Sequence, residues 1–215
     1  MYTLVIGNKN YSSWSLRAWL LLTQFDIEFE ELRLRLNDDE FEQNIRHYSP
    51  SGLVPVLISG DLRIWDSLAI SEYIAEQHPE LNCWPKKTAA RAVARSISSE
   101  MHSGFSQIRT CLPMNCRRKK PAAAISPELA DEIERVRDIW SSCRREYARN
   151  GEFLFGGFSI ADAMYAPVVL RFDSYGIEVG AMEAEYMETM RSLPSLQAWI
   201  SAARAETEII EAYED

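Results

Sequence analysis

Two adjacent hydroxyls, Ser12 and Ser13, stand between a β-branched run, Tyr2 to Gly7, and a helical pattern from about Ser15 to Phe25 that carries Leu16, Trp19 and Leu20. A serine at a helix entrance has two effects to offer a thiol. Its hydroxyl donates a hydrogen bond to the sulfur, and the helix start adds unpaired N–H groups and partial positive charge. Both favour the thiolate, the nucleophilic form of a group whose unperturbed pKa is roughly 8.5. The structural alternative is that one serine is an N-cap. With two in succession, both readings can hold.

A second stretch with chemical content runs from Ser51 to Gln77, SGLVPVLISGDLRIWDSLAISEYIAEQ. Pro55 interrupts an apolar run and belongs at the start of a strand or at a bend before it. It leaves the backbone of Val54 to pair with an extended peptide. Gly60-Asp61 supplies a tight turn. Asp66 and Ser67 then precede an apolar-periodic helix through Leu68, Ile70, Tyr73 and Ile74. The helix start suits a carboxylate, and Asp66 suits an ammonium, so one joint could grip a zwitterionic amino-acid head group. Read alone, Asp-Ser before a helix is a cap.

The elements that position these residues read as β-α-β-α-β-β-α, a thioredoxin-like α/β unit ending near His78. The second strand is expected over Phe29–Arg35 and the next helix over Asp38–Tyr48. Beyond Trp84-Pro85 strand signals stop. Helical patterns follow over Ala89–Cys111, Glu128–Arg149, Phe158–Asp173, Met182–Arg191 and Pro194–Glu211. The expected organisation is an α/β domain over 1–79, a linker over 80–86 and an all-α domain over 87–215. Ser159 and Asp162 make a capping-box pattern at the third long helix, a folding element rather than a catalytic acid.

Net charge is −9 over 215 residues, which argues against nucleic acid or an anionic membrane surface as partner. The one basic run, Arg117-Arg118-Lys119-Lys120, reads as a solvated loop. No apolar stretch approaches the roughly 20 residues of a membrane span, and MYTLVIGNKN has no signal-peptide pattern. Cys83, Cys111, Cys116 and Cys143 are dispersed, as reduced thiols of a cytoplasmic protein would be, and no metal-ligand spacing is present.

VPVL, the hairpin and DSLAI-EY resemble the glutathione-binding half of the cytosolic glutathione transferases, and YSSWSLR is similar to the S-S-C-S-x-R stretch of the zeta class. The resemblance runs over essentially the whole chain. It implies a cis Val54–Pro55 bond, a Val54 backbone paired with the cysteinyl group of glutathione, and Asp66-Ser67 on the γ-glutamyl group. Matching Arg17 puts Ser12 on the usual catalytic serine; a theta-like spacing favours Ser13. Trp14 stands where zeta members carry cysteine, which removes the thiol that mixed-disulfide chemistry needs. Leu53 stands where many members meet the glycine carboxylate, leaving His47 or Lys9 as substitutes. Glu100 is a candidate to reach a partner's γ-glutamyl amine. Tyr11, Trp14, Met101, His102 and Phe105, with Met114 and Tyr165, are candidate walls of an apolar electrophile pocket, or plain core. The implied protein is a homodimeric detoxification transferase with glutathione as co-substrate and no metal. The alternatives are a maleylacetoacetate-type isomerase and a non-catalytic binding module.

Overall fold

Leu4, Val5 and Ile6 of strand β1 (Tyr2–Ile6) are fully buried, because helices cover both faces of the sheet around it. The structure, a computed structural model, describes residues 1–38, 40–119, 121, 124–149 and 151–214. The sheet runs β2-β1-β3-β4, with β2 at Phe29–Arg33, β3 at Val56–Ser59 and β4 at Leu62–Trp65. β1 and β2 are parallel and joined through α1 (Ser13–Gln24); β3 pairs antiparallel with both β1 and β4. Side chains alternate across the sheet. Leu4, Ile6 and Leu57 join α1 and α3 (Ser67–Gln77) in the main core, while Val5 and Val56 meet Ile45 of α2 (Phe41–Arg46) on the other face. The Val54–Pro55 bond is cis, and Gly60 supplies the positive φ of the β3–β4 turn.

The second half is helical: α4 (Thr88–Ser103), α5 (Ser106–Cys111), α6 (Pro127–Cys143), α7 (Ile160–Tyr175), α8 (Ala181–Ser192) and α9 (Pro194–Ala205). Helix α7 is buried along nearly its whole length and packs on both α1 and α4. One apolar cluster therefore runs from the sheet through α1 and α7 to Trp140 and Trp199. Among the described residues, no helix is long and apolar enough to cross a membrane.

The structure departs from the sequence expectation where side chains take over from periodicity. The long helix expected over Ala89–Cys111 breaks at Gly104 and Phe105, and Phe105 adopts φ +58° with its side chain buried. Glycine weakens a helix interior. The guanidinium of Arg109 then folds back onto the carbonyls that the break exposes, those of Met101, His102 and Gly104. The helix expected to reach Arg149 is α-helical only to Cys143 and continues as a π turn over Arg144–Ala148. Helix α9 takes Pro194–Ala205 of the segment expected to contain a helix. The basic run is not a solvated loop. Arg117 donates to the carbonyls of Glu206 (2.7 Å) and Glu208 (2.9 Å), and Lys119 pairs with Asp173 (2.5 Å); Lys120 lies outside the described residues.

Asp162 is fully buried at the start of α7. Its carboxylate accepts the Ser159 N–H (2.8 Å), the Ser159 hydroxyl (2.9 Å) and the Leu154 N–H (3.1 Å). Burial nevertheless outweighs these bonds and pushes its pKa up to about 6. Asp162→Ala orphans buried donors and is expected to cost roughly 2–4 kcal/mol, read as a lower Tm and soluble yield with unchanged kinetics in the folded fraction. A variant that melted like wild type but lacked activity would assign Asp162 to chemistry instead. The folded state holds the Asp162 proton more tightly than the unfolded chain. Its contribution is therefore largest below an unfolded value near 3.8 and is lost as pH rises through about 6. The stability gap between wild type and Asp162→Ala should narrow over that window in melts at stepped pH.

Candidate active site

Ser12 is the N-cap of α1. Its Oγ accepts the Ser15 N–H (3.3 Å) and donates to Ser15 Oγ (2.7 Å), which in turn accepts the Gly7 N–H (3.1 Å). In this arrangement its proton is committed to Ser15. Ser13 is the first residue of α1, and its Oγ accepts from Arg171 Nη2 at 3.2 Å. That leaves the Ser13 proton available to a ligand, on a hydroxyl already polarised by a cation. Both serines are buried.

Both serines line a cavity of about 360 Å³ between the α/β and helical halves. Tyr11, Trp14, Leu53 and Val54 line it from one side; Arg109, Met114, Arg171 and Tyr213 line it from the other. The cavity thus brings together Tyr11, Ser12, Ser13, Trp14 and Val54. Met101 and Phe105 do not line it; they are buried in the core, which is the structural alternative for apolar residues at helical spacing. Tyr165 is likewise core, its hydroxyl donating to the Ile97 carbonyl.

The walls are not simply apolar, since Arg109 and Arg171 stand among them. Arg171 is buried, and its Nη1 donates to the carbonyls of Arg109 (3.3 Å) and Leu112. Trp14 lies between two guanidiniums, with Arg17 at 4.4 Å and Arg109 at 4.6 Å from its ring centroid. Burial lowers the pKa of all three arginines; mutual repulsion lowers Arg17 and Arg171 further, Arg171 to about 10. Among the described residues, no carboxylate forms an ion pair with any of them. Asp66 and Glu132 offset part of the charge of Arg17 and Arg109 from beyond ion-pair distance, and the positive charge that remains favours an anion. Sequence reasoning missed both Arg109 and Arg171. Arg171 did leave a signal, as the one basic residue in an otherwise largely apolar helix. Arg109 was hidden by the assumption of an unbroken helix.

Asp66 caps α3 with φ +76°, a conformation rare for a residue with a side chain. Its Oδ1 accepts the N–H groups of Leu68 (2.8 Å) and Ala69 (3.3 Å), and its Oδ2 lies 3.2 Å from His102 Nε2. The His102 ring meets the Trp14 ring edge-on, 5.3 Å between centroids. His102 therefore links the Asp66 joint to the cavity wall without lining the cavity. Ser67 is buried, with no hydrogen-bond partner at its hydroxyl among the described residues. His47 is exposed at the end of α2. Glu100 is forked onto Arg135 of its own chain (2.7 and 2.9 Å). Neither lines the cavity. Lys9 is occupied as well, paired with Glu31 at 2.7 Å and lying over Trp19.

Residues 11–77 match the family model described as glutathione S-transferase, N-terminal domain, and residues 126–202 match the corresponding C-terminal domain. The chain is 24% identical over 212 residues to the Arabidopsis thaliana protein named glutathione S-transferase Z2, a match covering 93% of each chain. A Caenorhabditis elegans protein named "Probable maleylacetoacetate isomerase" is 32% identical over 114 residues; that match covers 53% of this chain and spans about half (52%) of the relative. Among solved structures, a glutathione transferase homologue from Burkholderia gl BGR1 with bound glutathione has a TM-score of 0.70 at 24% identity, covering 95% of this chain and 99% of that one. With both halves matched in order and the fold shared, the chain belongs to the glutathione S-transferase family.

Proposed function

We propose that the protein is a glutathione-dependent enzyme that ionises the glutathione thiol at the start of α1 and presents it to an electrophile beside Arg109 and Arg171. The observation that carries this reading is the single cavity shared by Ser12, Ser13 and Val54. Val54 at the cavity wall pairs with the cysteinyl backbone, and Asp66 and Ser67, at the start of α3 outside the cavity lining, take the γ-glutamyl head, with His102 sharing the Asp66 carboxylate. Residues 1–79 form the glutathione-binding domain and residues 87–215 the electrophile side, joined by 80–86. The homodimer, the cytoplasmic location and a detoxifying role come from the family likeness. In such a dimer Glu100 would have to leave Arg135 to serve a partner's ligand.

Ser13 is the better placed of the two donors, because Arg171 polarises its oxygen while Ser12 is tied to Ser15. The hydroxyl, the helix dipole and the nearby guanidiniums all stabilise the thiolate over the thiol. Catalysis is then nucleophile activation plus proximity, with no covalent enzyme intermediate. The guanidiniums, which form no ion pair among the described residues, also support a second reading, isomerisation of an unsaturated carboxylic acid. The thiolate would add to an alkene carbon, and the electron pair would move into the adjacent carbonyl as an enolate. Rotation about the new single bond and expulsion of the thiolate would then return glutathione unchanged. In the transferase reading, a proton quenches the enolate and the conjugate leaves.

An ultraviolet thiolate titration tests the core of the reading. Bound glutathione should ionise well below roughly 8.5, and Ser13→Ala should remove most of that shift, Ser12→Ala less. The reverse order would hand the role to Ser12. Binding without any shift would leave a non-catalytic module, and no binding would end the glutathione reading. A separate prediction concerns charge. Arg109→Met should lower kcat/KM for an unsaturated dicarboxylate by about ten- to a hundredfold, against little change for a neutral aryl halide. Equal losses on both substrates would remove the anion preference.

A further inference from the structure

Helix α9 ends at Ala205, and the next side chain, Glu206, turns back onto the loop that carries the serines. Its Oε1 accepts the Lys9 N–H at 2.8 Å and its Oε2 accepts the Asn10 N–H at 3.0 Å. One carboxylate thus holds two consecutive backbone amides. Its side chain is only 8% exposed, so water competes little for those bonds. The carboxylate is itself held in place, with Arg33 at 3.4 Å and the Glu206 carbonyl accepting from Arg117 Nη1 at 2.7 Å.

The held loop leads directly to the reacting groups. Asn8 and Asn10 are fully buried, and the Asn8 carbonyl accepts the N–H groups of Tyr11 (3.2 Å) and Ser12 (2.8 Å). The orientation of residues 8–10 therefore sets the position of Ser12, and through it the first turn of α1 and Ser13. Tyr11 continues the contact with the tail. Its hydroxyl accepts from Arg117 Nη2 (2.6 Å) and from the Ile210 N–H (3.2 Å) and donates to Glu214 Oε1 (2.5 Å), and its ring lies 5.7 Å from that of Tyr213, a cavity wall.

We propose that Glu206 is a positioning residue for thiol activation, acting through the Lys9 and Asn10 amides to fix the turn that aims Ser12 and Ser13 into the cavity. Its catalytic effect rests on the glutathione reading; its effect on the loop does not. A buried amide that loses its acceptor must find another, either water from the adjoining cavity lined by Lys9 and Glu206 or a new protein partner, and neither holds the loop as the fixed carboxylate does. A hydroxyl displaced by about 1 Å from the sulfur loses much of its effect on rate, up to about a hundredfold. The other residues proposed to hold glutathione, Val54 before β3 and Asp66 and Ser67 at the start of α3, make no hydrogen bond to Glu206, so binding should survive.

The test compares Glu206→Gln, which keeps one acceptor and the shape, with Glu206→Ala, which keeps neither. Hydrogen–deuterium exchange over residues 8–13, the thiolate pKa of bound glutathione, and kcat against KM are measured on both. The expected result is faster exchange, a raised thiolate pKa and a fall in kcat of about ten- to a hundredfold in Glu206→Ala. KM for glutathione should change by less than about threefold, and Glu206→Gln should fall between. If Glu206→Ala does not fold, Glu206→Gln carries the same comparison. Faster exchange with unchanged thiolate pKa and kcat would make Glu206 a mere anchor of the tail and overturn the proposal, as would unchanged exchange. If wild type itself fails to ionise glutathione, the transferase reading fails, and the exchange measurement alone decides whether Glu206 sets the loop.

Discussion

Helix α1 packs its apolar length between the sheet and α7. Leu16, Leu20 and Leu21 have no exposed surface, so the helix cannot slide or roll without opening the core on both sides. That constraint fixes where its N-terminal end emerges, at the seam between the two halves. The serines sit at that end, and α7 delivers Arg171 to it from the opposite side. The cavity is a consequence of this packing. It lies where a strand-to-helix loop from one half meets the α5 region and the tail from the other.

The electrostatics of the seam follow from the same geometry. Three guanidiniums converge on Trp14 and Ser13, and their nearest partners are carbonyls and an aromatic face rather than carboxylates. Carbonyls and a ring satisfy donors without cancelling charge. Burial makes each charge costly, as the lowered pKa values of Arg17, Arg109 and Arg171 record. Asp66 and Glu132 act on Arg17 and Arg109 only from beyond ion-pair distance, so the seam stays locally positive. The acidic overall charge of the chain gives no hint of this local reversal.

Loop 8–12 shows how a buried irregular segment is tolerated. A loop inside a protein must account for each backbone N–H and C=O. Here the acceptors and donors come from distant parts of the chain. Glu206 takes the amides of Lys9 and Asn10, and Cys116 donates its N–H to the Asn10 carbonyl at 3.3 Å. The Asn10 side chain meets Asn115 Oδ1 at 3.0 Å, and the Asn8 side chain takes the Leu36 N–H at 2.7 Å. The loop is therefore a rigid support for the serines because the helical half completes its hydrogen bonding.

The sequence by itself determined the β-α-β-α-β-β-α order of the first half and the helices that follow it, the capped helix starts at Ser12-Ser13, Asp66-Ser67 and Ser159, and the stretch from Val54 to Ser67. These are local properties: period-2 and period-3.6 apolar patterns, a proline that cannot donate, and short side chains that cap helix starts. Tertiary structure alone decided what the cavity contains. Arg109 reaches it because the chain breaks at Gly104, where the buried Phe105 and the folded-back guanidinium outweigh helical continuity. Met101 and Phe105, at the same spacing as pocket walls, went to the core instead. Ser13 and Arg171 are 158 positions apart, and Lys9 and Glu206 are 197 apart. Contacts over such distances leave no periodic trace in a sequence, because they depend on how whole helices pack rather than on the residues flanking either end.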